Sequence, residues 1–238
     1  MRAPSLYIAA VRHLFYLARD EYNDEDSGII LIPNNPFTKY KVPKQNIAAK
    51  RGLTSEVIRQ IMECEPKTER AKFAMDMFLL SFYLVGTNAI DLYHCKPPIN
   101  GYLIYQRAKT KDRRADRAEI HIRLEPEALQ LYEKYRDETG EFAFGFYKHY
   151  SMYETFKNAI RKGIKVIGKM IGVPELTFYA ARHSWAGIAR NECGIPKSEV
   201  HEYLNHVDPD LKVTDLYLQK DWMPLAKANR KVIDMVLK

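Results

Sequence analysis

The residues best suited to chemistry lie in HEYLNHVDPDLKVTDLYL, residues 201–218, which holds His201, Glu202, His206 and Tyr217. A zinc-protease helix needs H-E-x-x-H, which places both histidines one turn apart on one face. Here five residues separate the two histidines, which turns the second imidazole by roughly 140° around a continuous helix. No cysteine lies close enough in the sequence to complete a tetrahedral site. The spacing argues against a metal site, predicts a solvent-facing His201, and leaves the roles of His206 and Tyr217 to be explained.

A second polar group lies in LTFYAARHSWAGIARNECG, residues 176–194, where the apolar spacing predicts a helix over 178–193. Arg182 falls near the first turn of this helix. Backbone N–H groups and the helix dipole favour anions there, so the arginine suits a phosphate oxygen. Pairing of Arg182 with a carboxylate is the alternative.

The third group is the basic run QRAKTKDRRADR, residues 106–117, between two predicted strands. Such a turn can deliver one lysine, Lys109, to a DNA phosphate, although most runs of charge are simply solvated. The candidate DNA-binding residues are Arg107, Lys111, Arg113, Arg114 and, beside Arg182, His183.

Together, Arg182, Lys109, His206 and Tyr217 provide what metal-free phosphoryl transfer to tyrosine requires. The phenol has a pKa near 10, so roughly one part in 10³ is ionised at pH 7. Cations draw in the phosphate and stabilise charge on its non-bridging oxygens. Lys109 or a histidine can protonate the leaving alkoxide. We therefore expect no cofactor and no metal.

The composition is consistent with a DNA-binding protein but does not establish one. The 238 residues carry a net charge of +7, and 46% are hydrophobic, enough for one large domain or one domain and a fragment of a second. An anionic partner, most commonly nucleic acid, fits this charge. The three cysteines are far apart, which argues against a disulfide framework or a zinc knuckle and fits a cytoplasmic setting. No apolar run is long enough to span a membrane.

The periodicity predicts a mainly α fold with one small antiparallel β-hairpin. Thr54 and Thr68 are predicted N-caps, and Pro126 is a predicted first helical residue. A short helix over about 210–219 is expected to carry Tyr217. The last helix, about 224–237, has one apolar face that either docks on a neighbouring subunit or folds back onto its own domain.

The run from LTFYAARHSWAGIAR through EYLNHVDPDLKVTDLYL resembles the catalytic core of the tyrosine recombinases, the phage integrase family, and is most similar to integrases of bacterial mobile elements. The similarity extends over about residues 53–238 and includes LTSEVIRQI, LLSFYLVGTNAIDLYH and the RAKT hairpin. It implies the DNA breaking-rejoining fold for 53–238, a linker over 33–52 and the terminal helix of a core-binding domain over 1–32. The chain therefore looks like a truncated integrase.

The resemblance also implies roles for single residues. The family's nucleophile, second arginine, hairpin lysine and histidine-or-tryptophan positions fall on Tyr217, Arg182, Lys109 and His206. The position three before Arg182, commonly histidine, is Tyr179, which can donate a hydrogen bond but is a poorer acid-base group near pH 7.

The first arginine of the family is replaced by Asn88. A cationic group of this kind can be worth about 10³–10⁵ in rate. Our hypothesis is that Arg107 or Arg113 supplies the missing charge. Asp91 falls where the family has an acidic residue, and Asn205 replaces a glycine that usually precedes the histidine.

The expected function is therefore site-specific recombination, in which Tyr217 forms a 3′-phosphotyrosine and a 5′-hydroxyl leaves. The expected partners are double-stranded DNA at recombination sites and three further copies of the chain. Two alternatives remain: a catalytically impaired relative that binds DNA as an accessory factor, and a basic helical protein that binds acidic proteins.

Overall fold

The computed structural model describes residues 3–42, 52–207, 217 and 219–238. Contacts divide the chain into two units, Met1–Lys50 and Arg51–Lys238. The described residues are mainly helical and include two small antiparallel sheets, which confirms the expected fold class at that level. Among them, no helix combines enough length with enough apolar character to cross a membrane.

The first unit consists of a long helix, a short hairpin and a turn: α1 (Ala3–Tyr22), β1 (Asn23–Asp24), β2 (Ile29–Ile30) and a 3-10 turn at Pro36–Thr38. The side chain of Asn35 caps this turn by accepting from the amide of Phe37 at 3.0 Å. The linker expected over residues 33–52 therefore contains a helical turn at Pro36–Thr38. Proline favours the first position of a helical turn because its φ is already set. Residues 43–51 of this linker lie outside the described part.

The second unit contains nearly all the helices, and its elements follow one another closely along the chain. They are α2 (Ser55–Glu63), α3 (Glu69–Tyr83), α4 (Ala89–His94), β3 (Tyr102–Gln106), β4 (Glu119–Arg123), α5 (Pro126–Tyr135), α6 (Phe146–His149), α7 (Tyr153–Met170), α8 (Ala180–Gly187), a π-helical segment (Ile188–Glu192), α9 (Lys197–Tyr203) and α10 (Met223–Leu237).

Several boundaries follow from local sequence. Thr54 and Thr68 cap α2 and α3 by accepting from the amides of Val57 and Ala71, and Pro126 begins α5, as predicted. The helix predicted over 178–193 begins later, at Ala180, and its last turn is π-helical. The helix predicted over about 210–219 lies largely outside the described residues.

The core of the second unit is built around α3, whose Met77, Phe78 and Leu80 are fully buried. Helix α7 crosses α3 closely because Gly163 has no side chain. A Cβ atom there would lie 2.4 Å from Cβ of Ala74 and 2.6 Å from the carbonyl oxygen of Arg70. This contact brings α7, which has 18 residues, directly against α3.

The hairpin of β3 and β4 pairs Tyr102 with Arg123 and Gln106 with Glu119. Ile120 and Ile122 face the core and alternate with less buried residues, as the sequence predicted. This hairpin carries the basic turn that lies between its strands.

Helix α10 folds back onto its own unit. The indole Nε1 of Trp185 donates to Oδ1 of Asn229 at 2.8 Å, and Nδ2 of Asn229 donates to the carbonyl of Tyr83 at 2.8 Å. Val232 and Val236 are fully buried. Of the two interpretations of the C-terminal helix, the structure shows the second, so its apolar face is not exposed for a neighbouring subunit.

Candidate functional site

Arg182 lies in the first turn of α8, as predicted, and its side chain is buried. Its Nη1 donates to the carbonyl of Gly86 at 3.3 Å, and Nη2 donates to the carbonyl of Leu204. Arginine has five N–H donors, so these two bonds do not exhaust its capacity. The guanidinium therefore joins the turn after α3 to the end of α9 and can still bind an anion.

Gly86 allows this arrangement. Its φ is +72°, a conformation that side chains with a Cβ rarely adopt. A Cβ atom at this position would lie 2.4 Å from Cα of Arg182. The absence of a side chain at residue 86 thus lets the turn after α3 close directly on the arginine.

Arg107 is the second buried arginine of the site. It follows β3, its amide donates to the carbonyl of Ala118 at 3.1 Å, and only 6% of the residue is exposed. Its Nε has no hydrogen-bond partner in the described part of the chain. Burial, and then the charge of Arg107, lower the pKa of Arg182, so the two cations are close enough to repel each other.

Arg113, the other candidate for the missing charge, is exposed on the 3-10 turn Lys111–Arg113. The structure thus distinguishes the two candidates. Arg107 is the one held beside Arg182, because the end of β3 turns inward while the tip of the hairpin points to solvent.

Asp91 connects α4 to the basic turn. Its Oδ1 accepts from the amide of Ala108 at 2.8 Å, and its Oδ2 accepts from Nδ2 of Asn88 at 3.4 Å. Burial raises the pKa of Asp91 above its usual value, although both hydrogen bonds and the two buried arginines oppose this. Ala108 directly precedes Lys109, so this hydrogen bond fixes the backbone beside the lysine. Asp91 thereby positions the hairpin lysine.

His206 lies beside this centre because α9 ends early. The helix stops at Tyr203, and Asn205 has a φ of +54°, which reverses the chain. Asparagine tolerates this conformation better than most residues, which is consistent with its replacing a glycine. His206 is exposed at the surface, but partial burial, followed by the charges of Arg182 and Arg107, lowers the pKa of its imidazole to about 4. The imidazole is therefore neutral at pH 7.

The prediction from the spacing of His201 and His206 is wrong in one respect. It assumed a continuous helix, but the chain reverses at Asn205 and brings the two ring centroids within 4.9 Å. His201 is accordingly half-buried instead of solvent-facing. In the described residues, no group of three or more histidine, cysteine, aspartate or glutamate side chains is arranged to hold a metal ion.

A cleft of about 590 Å³ opens beside Arg107 and Lys109, and its described lining does not include Arg182 or His206. Among the described residues that line it, none carries a carboxylate and five are basic. The basic residues are Arg107, Lys109, Lys157, Arg161 and Lys165. Of these, Lys157 also pairs with Glu154 at 2.7 Å.

Three of these cations come from α7 and are not among the site residues predicted from the sequence. Lys157, Arg161 and Lys165 are four residues apart, and this spacing puts them on one face of a helix. The regular spacing was the available signal. The floor of the cleft is apolar and includes Ile160, Ile164 and Phe178, and the hydroxyl of Thr177 is buried there without a partner among the described residues.

Tyr179 and Asn88 also line the cleft. Tyr179 occupies the N-cap position of α8, is 40% exposed, and meets the ring of His183 edge-on at 4.9 Å. Asn88 donates to Asp91 and brings no charge. Two positions of the predicted catalytic set thus lie in the same cleft as Lys109.

The remaining predicted residues differ in their surroundings. Lys111 is half-buried at the start of the 3-10 turn. Arg114 is engaged within the protein, since it donates to Asp116 and, through Nη1, to the carbonyl of Asn205 at 2.8 Å. Tyr217 is 83% exposed, and residues 208–216 and 218 around it lie outside the described part of the chain.

Comparison of the chain with protein-family models, with curated proteins and with solved structures finds no match.

Proposed function

We propose that the protein is a site-specific DNA recombinase of the tyrosine type, with the DNA breaking-rejoining fold over residues 53–238. It cleaves and rejoins DNA through a 3′-phosphotyrosine at Tyr217 and so integrates or excises a mobile element in the cytoplasm. The resemblance of the sequence motifs supports this proposal, and the geometry of the basic centre supports it independently.

One observation carries the proposal: two buried arginines, Arg107 and Arg182, lie close enough to repel each other. Arg107 also lines a cleft whose described lining residues include cations and no carboxylate. Burying like charges lowers stability unless an anion neutralises them. A phosphodiester provides that anion, and the unpartnered Nε of Arg107 provides a donor for one of its oxygens.

The proposed reaction assigns a role to each group. The phenolic oxygen of Tyr217 attacks the phosphorus, its proton passes to neutral His206, and the bond from phosphorus to the 5′-oxygen breaks. Lys109 gives a proton to that leaving oxygen. Arg182 and Arg107 stabilise the charge on the non-bridging oxygens. Rejoining is the reverse, with the 5′-hydroxyl as nucleophile.

Double-stranded DNA is the proposed partner, and four copies of the chain are proposed to assemble on it. Lys157, Arg161 and Lys165 add a row of cations for the phosphate backbone. Binding is expected to weaken steeply with salt, because each neutralised phosphate releases counterions. Since α10 is buried in its own unit, we expect another surface to join the copies.

The accessory role is the second candidate, and one observation favours it. Asn88, at the position of the family's first arginine, donates to Asp91 and supplies no charge. If Arg107 does not compensate, the protein binds DNA without cutting it.

A pool of duplexes with one nick and randomised flanking sequence tests both candidates. The recombinase traps itself covalently on such DNA, and the adduct is seen on a denaturing gel. We expect the adduct with the wild type and with the exposed-tyrosine control Tyr22→Phe, and none with Tyr217→Phe. Salt-sensitive binding without adduct supports the accessory role, and absence of binding contradicts both.

A further inference from the structure

The turn of the β3–β4 hairpin contacts the chain on both sides of the segment that carries His206 and Tyr217. On the near side, Nη1 of Arg114 donates to the carbonyl of Asn205 at 2.8 Å. In return, Nδ2 of Asn205 donates to the carbonyl of Ala118 at 2.8 Å. The residue before His206 is therefore bonded to two residues in the second half of the turn, Arg114 and Ala118.

On the far side, the chain after Tyr217 returns to the same hairpin. Nζ of Lys220 lies 2.7 Å from Oδ2 of Asp116. Two residues later, the ring of Trp222 stacks on His121 of β4, with centroids 4.9 Å apart and an angle of 15° between the planes. The ammonium of Lys220 also lies 5.6 Å from the centroid of the Trp222 ring.

Asp116 connects the two sides. One carboxylate accepts from Nε and Nη2 of Arg114, from the amide of Ala118 and from Lys220. These bonds hold the pKa of Asp116 well below its usual value, with the bonds from Arg114 contributing most. The carboxylate is therefore ionised throughout the neutral range.

We propose that Lys220 and Trp222, held by Asp116 and His121 of the hairpin, are positioning residues that keep Tyr217 near its own subunit's Lys109. This proposal rests on the proposed function. The hairpin that carries the lysine and the contacts that follow the tyrosine then form one unit, and the nucleophile acts on the phosphate bound by the same chain.

The length of the tether gives the size of the effect. Lys220 is the third residue after Tyr217, which limits the distance between their Cα atoms to about 11 Å. Without both contacts the next fixed point is Met223, the first residue of α10, at up to about 22 Å. The volume open to the tyrosine grows by the cube of this ratio, so we expect roughly an eightfold lower cleavage rate.

The test compares single-turnover cleavage of the nicked DNA by the wild type, Lys220→Ala, Trp222→Leu and the double variant. Because an exposed ion pair is weak alone, we expect small losses in the single variants and the eightfold loss in the double variant. Lys220→Arg keeps the ion pair and should restore the rate. Lys72→Ala, which breaks the exposed pair with Glu69 on α3, is the control for loss of one positive charge in DNA binding.

A second measurement does not depend on activity. Trp185 is fully buried and Trp222 half-buried, and these are the two tryptophans of the chain. Acrylamide quenching of fluorescence should therefore report mainly on Trp222. We expect quenching to increase in Lys220→Ala and to return to the wild-type level in Lys220→Arg.

The outcomes separate the two proposals. A wild type that forms no adduct overturns the proposed function and the positioning role together. A wild type that forms adduct no faster than the double variant overturns the positioning role alone. A lower rate that is explained wholly by weaker DNA binding, as in Lys72→Ala, also overturns it.

Discussion

The two sides of α7 differ in what they contact and in what holds them in place. One side packs Phe156, Gly163 and Ile167 into the core against α3. The other side presents Lys157, Arg161 and Lys165 to the cleft. On the first side, burial of apolar atoms and close packing stabilise the fold. On the second side, three positive charges lie close together although they do not contribute to the packing of the core.

This difference indicates that the stability of the fold depends on one side of α7 and its function on the other. Buried polar atoms usually have a partner, and exceptions call for an explanation. In the described part of the second unit the exceptions are Nε of Arg107 and the hydroxyl of Thr177, both at the cleft, and the hydroxyl of Thr110 in the hairpin turn. We therefore expect substitutions on the packed side to change stability, and substitutions at the cleft to change activity.

Arg107→Ala should give the largest effect. We expect the rate of covalent adduct formation to fall by about 10³, since a transition-state cation is lost. The free energy of unfolding should stay the same or rise, because a buried charge that repels Arg182 is removed. Single-turnover cleavage and urea denaturation measure the two quantities. Arg113→Ala is the control, and a larger loss of rate there would show that the compensating cation is misassigned.

Gly86→Ala should come next. The added Cβ would meet Arg182 at 2.4 Å at a φ of +72°. We expect a loss of about 3 kcal/mol in the free energy of unfolding, from backbone strain and overpacking together. Gly140 has a φ of +73°, and no described atom lies within 4 Å of the position that a Cβ atom would take there. Gly140→Ala should therefore cost only the strain, about 1 kcal/mol. Equal losses in urea denaturation would contradict the close packing at Arg182.

Gly163→Ala tests the packed side of α7. The new methyl group would overlap Ala74 and the carbonyl of Arg70, so we expect a loss of about 2 kcal/mol. Gly187 is the last residue of α8 and has an ordinary helical φ. No described atom lies within 4 Å of the position that a Cβ atom would take there. Gly187→Ala should instead gain up to about 1 kcal/mol from helix propensity. Thermal unfolding shows whether the two substitutions change the free energy of unfolding in opposite directions, as expected, or in the same direction.

The smallest effect concerns pH, because solvent screens the charge interactions of the exposed His206. His206 has a pKa of about 4 in the folded protein and an ordinary value of 6.5. Between these values the unfolded chain binds more protons, so the free energy of unfolding should fall as pH decreases from about 6.5 to about 4. His206→Gln should reduce this pH dependence and leave stability at pH 8 nearly unchanged. An identical pH profile in both proteins would mean that His206 titrates normally.

The parts of the fold that the sequence predicted are those controlled by neighbours along the chain. Thr54 and Thr68 cap their helices through amides three residues away, and the β4 strand alternates as its isoleucines indicate. The prediction that His201 faces solvent is wrong because the position of His206 relative to His201 does not follow from helical spacing. One left-handed residue, Asn205, ended the helix, and periodicity does not show such a reversal.

The sequence alone determined the supply of candidate groups: the arginines, the hairpin lysine, the histidine, the tyrosine and the local elements that carry them. Only the tertiary structure decided that Arg107 and not Arg113 is buried beside Arg182, and that Arg114 and Asp116 bind the chain on both sides of His206 and Tyr217. The physical reason is that burial and electrostatic interaction depend on distance in space. Residues 107 and 182 are far apart along the chain, and their proximity requires the whole core to be assembled.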